Sequence, residues 1–191
     1  MSCRSISSPL LAGLIFLAGC SSPPVRAPFP LAHGQNIPEF TLNGRVAVRH
    51  GNDGFSGHLY WRHAYKNDEL RLLSPLGQTV AAIQRGSAGV VLEVSGVRHE
   101  ASNTADLTER VLGWRLPLEG MQYWVQGRAS PEDGAEIVRD EPGNVVRLSQ
   151  QGWEIEYRDY RLQEGVALPY RLVMRGADME LKLAVDEWGL P

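Results

Sequence analysis

From Phe40 to Arg62 the chain alternates apolar and polar residues one by one, and this period of two limits the possible folds more than any other feature. Phe40, Leu42, Gly44, Val46 and Val48 fall on one side, and Thr41, Asn43, Arg45 and Arg49 on the other. After Gly51-Asn52-Asp53-Gly54 the pattern resumes, with Phe55, Gly57, Leu59 and Trp61 opposite His58, Tyr60 and Arg62. Neighbouring side chains of a strand point to opposite faces, so alternation describes a strand with one dry and one wet face. That is the condition of an antiparallel sheet, since parallel strands are usually covered on both faces.

The same reasoning extends along the chain. Asn67-Asp68 is expected to turn it into a third strand through Leu70, Leu72 and Ser74. Further strands are expected at Gln78–Gln84, Val90–Val94, Val97–Ala101, Glu136–Arg139, Asn144–Ser149, Trp153–Arg158, Leu168–Met174 and Glu180–Val185. Turn signals separate them at Ser87-Ala88-Gly89, Ser95-Gly96, Pro142-Gly143-Asn144, Gln151-Gly152 and Gly176-Ala177-Asp178. The gap in the middle is helical. Asn103 or Thr104 caps a short helix through Gly113, and Pro117 opens a second with an apolar stripe of Leu118, Met121, Trp124 and Val125, ended by Gly127. The expected fold is mainly β with some α: about ten or eleven short strands in one antiparallel sheet. So many strands in so short a chain curl into a barrel or half-barrel, and the helices would close its open mouth.

The N-terminus has a different character. One basic residue, Arg4, precedes an apolar run from Leu10 to Ala18, which is too short to span a bilayer and has the layout of a secretory signal. It ends in Leu17-Ala18-Gly19-Cys20, which resembles the lipobox of bacterial lipoproteins, whose cysteine is lipidated. Residues 1–19 therefore read as a signal peptide and Cys20 as the lipid-modified first residue. Residues 20–38 read as a lipidated N-terminus with a proline-rich tether, and 39–191 as the domain. Proline at 23, 24, 28, 30 and 38 favours an extended tether of about 3.1 Å per residue. Ser21-Ser22 places no acidic residue beside the anchor, which in bacteria with the lipoprotein-localisation pathway goes with release to the outer membrane.

Cleavage would leave 172 of the 191 residues, enough for one domain with a sizeable core. It would also remove Cys3, so no disulfide and no thiolate metal site remains possible. With Arg4 gone, 18 basic residues face 22 acidic ones, a formal net charge of −4. That balance argues against nucleic-acid binding and against an electrostatic grip on anionic lipid heads.

No residues assemble into a catalytic motif. His33 and His50 lie in the tether and at a turn, and His58 and His63 are five apart along a strand and face opposite ways. His99 and Glu100 are sequence neighbours on opposite faces. There is no Gly-x-Ser-x-Gly elbow, phosphate-cradling loop or His-Glu-x-x-His. Acidic residues such as Asp133, Asp140, Glu141 and Asp186 read as solvated surface. No enzyme, metal or cofactor is expected. Two features remain. Five tryptophans (61, 114, 124, 153 and 188) among alternating aliphatics serve either a filled interior or a ligand cavity, and the filled interior is the simpler reading. In Leu73-Ser74-Pro75-Leu76-Gly77-Gln78, Leu76 sits at a turn, where it either projects or folds back to plug the barrel end. On the residues alone the plug is preferred.

Short motifs are spread across the mature chain: Phe40-Thr41-Leu42-Asn43-Gly44-Arg45, Gly57…Trp61, Leu72-Leu73-Ser74-Pro75-Leu76-Gly77, Leu116-Pro117-Leu118, Trp124-Val125-Gln126-Gly127, Gln151-Gly152-Trp153, Tyr157, Leu168-Pro169 and Trp188. In their order and spacing they resemble the LolB family of outer-membrane lipoprotein receptors. A departure is Gly120-Met121, where a longer aliphatic is expected. The resemblance implies a single unclosed antiparallel β-barrel with a short helical lid over an apolar cavity for acyl chains, which reverses both preferences above. It implies a cavity lined by Leu42, Val46, Leu59, Trp61, Leu72, Leu92, Leu148 and Ile155, a lid of Leu112, Leu118, Met121 and Trp124, and an exposed, membrane-inserting Leu76. The implied partners are a LolA-like periplasmic carrier, the acyl chains of cargo lipoproteins and outer-membrane lipid, with the receptor a monomer on the periplasmic face of the outer membrane. The competing reading is a scaffold lipoprotein with a packed core and no lipid ligand.

Overall fold

The computed structural model describes residues 36–191. The expected signal peptide, Cys20 and the tether up to residue 35 lie outside the described residues. In chain order the elements are β1 (Glu39–His50), β2 (Asp53–Ala64), β3 (Asn67–Leu73), β4 (Thr79–Gly86), β5 (Gly89–Val94), β6 (Val97–Ala101), α1 (Thr104–Leu112), α2 (Leu118–Trp124), β7 (Glu136–Arg139), β8 (Val145–Gln150), β9 (Trp153–Gln163), β10 (Val166–Gly176) and β11 (Met179–Gly189).

All eleven strands form one antiparallel sheet in the order β6-β5-β4-β3-β2-β1-β11-β10-β9-β8-β7. The chain therefore enters at the middle of the sheet and steps outward by hairpins to β6. It then has to cross to the opposite edge at β7 before stepping back to pair β11 with β1. The crossing segment holds both helices, which is why they lie over the open side. The two edges do not meet, so the barrel is unclosed.

Inward residues of the alternating strands make the core. Leu42, Trp61, Leu92, Leu148, Ile155 and Met174 are fully buried, and Leu107, Leu118 and Trp124 cover them from the helices. Each such side chain contributes about 1.5–3 kcal/mol through burial. Asn103 caps α1 by accepting the Asp106 N–H at 2.8 Å, and Gly113 ends it in the left-handed region at φ 85°. Pro117 opens α2 without a side-chain cap. Ile37, within the segment expected as tether, is buried and tied to the turn after α2: Gln126 Oε1 accepts its N–H at 3.0 Å and Gln126 Nε2 donates to its C=O at 3.1 Å.

Other local expectations differ from the structure too, β11 for example running from Met179 to Gly189 and not only over 180–185. The turn between β2 and β3 is at Tyr65-Lys66, with Tyr65 at φ 56°, and Asn67-Asp68 belongs to β3. Asn-Asp is good turn chemistry, yet Asp68 pairs with His63 across the ladder and points inward to ionic partners that outweigh its turn preference. The hairpin of β9 and β10 also runs further than expected, turning at Glu164-Gly165, where both residues have positive φ.

Candidate functional site

The concave face and the helices above it are packed together over most of their contact. Of the twelve residues expected around a cavity, Leu42, Val46, Leu59, Trp61, Leu92, Leu118, Met121, Trp124, Leu148 and Ile155 are buried in the continuous core. Leu72 and Leu112 are half-buried and line open space. With Val48, Phe55, Val80, Ala81, Val94 and Trp114 they enclose a mainly apolar gap of about 230 Å³ at one end of the sheet, between β1–β5 and the end of α1, with His50 and Asp53 also in its lining. At about 30 Å³ per group the size of a water, this holds roughly eight methylenes, less than one long acyl chain. A bound chain longer than that has to separate the helices from the sheet. A larger depression of about 1180 Å³ lies over turns at the same end, but its walls include Arg49, Glu136, Glu154, Arg175 and Glu180, charged residues unsuited to hydrocarbon.

Polar clips hold the crossing segment down. Gln150 of β8 accepts the Trp124 Nε1–H and the Ser130 N–H through one oxygen, each at 2.8 Å, and donates to the carbonyls of Ser130 at 2.9 Å and Asp133 at 2.7 Å. On the other side, Arg85 of β4 reaches Glu119 of α2 at 3.8 Å. Arg85 also pairs with the fully buried carboxylate of Asp68, donating from Nε at 2.6 Å. The other Asp68 oxygen accepts the Trp61 Nε1–H at 2.8 Å and lies 2.8 Å from His63 Nδ1. Burial by itself would push the Asp68 carboxyl up. The His63 hydrogen bond, the Arg85 charge and the Trp61 N–H outweigh it and hold the carboxyl below its ordinary value. This inward cluster was readable in the sequence, because His63 shares a face with Leu59 and Trp61, and Asp68 with Leu70 and Leu72. Its residue types hid it, since His and Asp at a strand end read as surface.

The unexpected glycine at 120 has a steric cause. A Cβ there would lie 2.5 Å from the Trp124 indole, so the small residue lets that ring lie flat on the helix and reach Gln150.

Ser74 to Gln78 form a tight loop between β3 and β4. The Gly77 N–H donates to the Ser74 carbonyl and the Ser74 N–H to the Gln78 carbonyl, both at 2.8 Å. Pro75 pre-sets the first corner position and Gly77 supplies the left-handed φ of 82° that closes the loop. Leu76 is left on the outer corner, 89% exposed, more than any other large apolar side chain among the described residues. It does not fold back onto the barrel end. Among the described residues, no group of three His, Cys, Asp or Glu is placed to hold a metal ion, and no helix is long and apolar enough to cross a membrane.

The result is an open antiparallel half-barrel spanned by a clipped helical segment over a narrow gap. The family model described as outer membrane lipoprotein LolB matches residues 38–188. The outer-membrane lipoprotein LolB of Nitrosomonas europaea is 38% identical over 98% of this chain and 93% of its own length. Its counterpart in Shewanella sp. (strain W3-18-1) is 32% identical over 93% of this chain and 86% of its own. A LolA superfamily protein from Nitrosomonas europaea shares the fold with a TM-score of 0.51 at 10% identity, covering 82% of this chain and 88% of that one. The chain belongs to the LolB family, and with it to the lipid-anchored proteins of the outer membrane.

Proposed function

We propose that this chain is the outer-membrane receptor that takes lipoproteins from a LolA-like periplasmic carrier, holds their acyl chains beneath the crossing helices and inserts them into the membrane. Cys20, lipidated after cleavage of residues 1–19, keeps it at the periplasmic face. A single chain suffices, since one half-barrel supplies both lid and concave face. The carrier presents its cargo at the mouth formed by Leu72, Leu112 and Trp114, and the chains advance between α2 and the sheet, parting the surfaces now filled by Met121, Trp124, Leu148 and Ile155. Each methylene kept from water saves about 0.8 kcal/mol, so transfer between two apolar sites avoids a cost of tens of kcal/mol for free long chains. No cofactor is needed, because the bilayer is the final sink.

The observation that carries this reading is the pairing of an apolar mouth with Leu76 exposed on the same end of the sheet. A leucine entering lipid gains about 1.5–3 kcal/mol, enough to orient the receptor and too little to anchor it. Leu76→Glu tests it. Uptake of cargo from the carrier is retained and delivery to liposomes fails; normal delivery by the variant would sink the insertion role.

A further inference from the structure

On the convex face, four neighbouring strands bring small residues together. Ala47 of β1 pairs with Ser56 of β2 and Lys182 of β11, and Ala184 of β11 pairs with Arg45 of β1 and Arg171 of β10. With Ala47, Val173 and Ala184 at its floor and the backbone of Gly57 beside them, the surface sinks into a groove of about 500 Å³, and Pro75 of the Leu76 loop forms part of its wall. Arg45, Arg171 and Lys182 stand on its rim with side chains 61%, 59% and 59% exposed, and no carboxylate lines it. Their partners lie outside it. Arg45 meets Asp186 at 3.1 Å, Lys182 meets Glu180 at 3.0 Å and Arg171 meets Asp159 at 4.0 Å. Glu180 also serves Arg49 and Arg175, and Asp159 also serves Arg161, so these carboxylates are shared among more cations than they can neutralise.

We infer that this groove receives the headgroup of an anionic phospholipid while Leu76 sits in the bilayer; the inference rests on the membrane-contact reading of Leu76. Guanidinium groups fit phosphate oxygens in pairs, Lys182 adds a point charge, and the small apolar floor leaves room for the glycerol end of the lipid. The formal net charge of −4 on the mature chain disfavours a general electrostatic grip on anionic lipid, but it does not decide a local contact. Screening over about 8–10 Å leaves the local charges in control at the contact.

The test uses the mature chain from residue 20 carrying Cys20→Ala, so that no acyl anchor holds it. It is sedimented with vesicles of phosphatidylcholine alone and of phosphatidylcholine mixed with phosphatidylglycerol. The parent favours the mixed vesicles. A basic residue near an anionic surface is worth about five-fold in partitioning. Allowing for the partner carboxylates, Arg45→Gln, Arg171→Gln and Lys182→Gln together lower partitioning onto mixed vesicles by about ten-fold and leave it unchanged on phosphatidylcholine. Arg45→Lys with Arg171→Lys keeps most of the preference. Arg62→Gln, Lys66→Gln and Arg98→Gln together remove the same charge elsewhere and have little effect. An equal loss in both triple variants, or no loss in either, overturns the groove. Leu76→Glu, measured alongside, weakens partitioning on both kinds of vesicle; if it binds both like the parent, the membrane-contact reading fails on its own account.

Discussion

Gln150→Leu separates a lid from a fixed part of the core. In the closed form Gln150 satisfies four buried or half-buried groups: the Trp124 and Ser130 N–H groups and the Ser130 and Asp133 carbonyls. Leucine matches the volume and satisfies none of them. An unsatisfied buried polar group costs about 1–3 kcal/mol. The Asp133 carbonyl stays near solvent, so the three remaining groups, at about 1 kcal/mol or slightly more each, disfavour closure by about 3–4 kcal/mol. When the crossing segment lifts, water takes over these bonds, so the open form escapes most of that cost. Each 1.4 kcal/mol is a factor of ten in population, so the open fraction rises by roughly 100- to 1000-fold. A ligand that binds only the open form then gains apparent affinity by up to the same factor, less as the open fraction approaches one. The assay is a fluorescent fatty-acid titration together with hydrogen exchange of residues 118–130. Faster exchange confined to that segment and tighter binding are the expected result. Binding that weakens in step with a global loss of stability would refute the reasoning, because it would make the segment an ordinary part of the core.

Asp68→Asn leaves Arg85 without its buried counter-charge and should cost about 3–5 kcal/mol of stability at neutral pH, read from chemical denaturation. Because the folded state holds the Asp68 carboxyl below its ordinary value, its contribution is fully present above the unfolded pKa and is lost as pH falls through the folded one. The gap between parent and variant should therefore be constant from about pH 5 upward and narrow in the acid range; a gap insensitive to acid would contradict the assignment. Gly120→Leu supplies the aliphatic expected from the family resemblance, but it collides with the Trp124 ring. Overpacking of about 1–3 kcal/mol should lower the thermal midpoint, and a midpoint at or above the parent's would show that the ring is free to move.

The strands were legible because hairpins of an open sheet keep one wet face, and alternation records that directly. Val97–Ala101 and Glu136–Arg139 agree with expectation at both ends, although β7 is exposed throughout and lies on an edge. The extensions of β9 and β10 were hidden because Glu164-Gly165 is a weak turn signal, and its conformation is imposed by pairing on both sides. The helical segment was legible from its caps, but its role follows from topology: a chain that starts mid-sheet has to bridge the two edges once. The site was harder to see. Burial makes an acyl-facing leucine and a core leucine identical in sequence, so Leu42 or Ile155 carries no mark of either role. Pro75 and Gly77 mark the corner at Leu76, but the residues alone favour a leucine folded back as a plug, and only the family resemblance implies the exposure found. Gln150 escaped notice because its partners Trp124 and Ser130 are 26 and 20 residues away, and Asp68 because His and Asp at a strand end read as surface although Trp61 and His63 are near in sequence.

The central claim is that acyl chains enter between the crossing helices and the concave sheet, which a photoreactive fatty acid tests most directly. After irradiation of the bound complex, peptide mapping should place the label at the mouth on Leu72, Val94, Leu112 or Trp114, and further in on residues of α2 and β8. Excess unlabelled fatty acid should abolish it. Saturable labelling confined to the convex face, or labelling that excess ligand does not displace, would contradict the account and favour a packed scaffold lipoprotein.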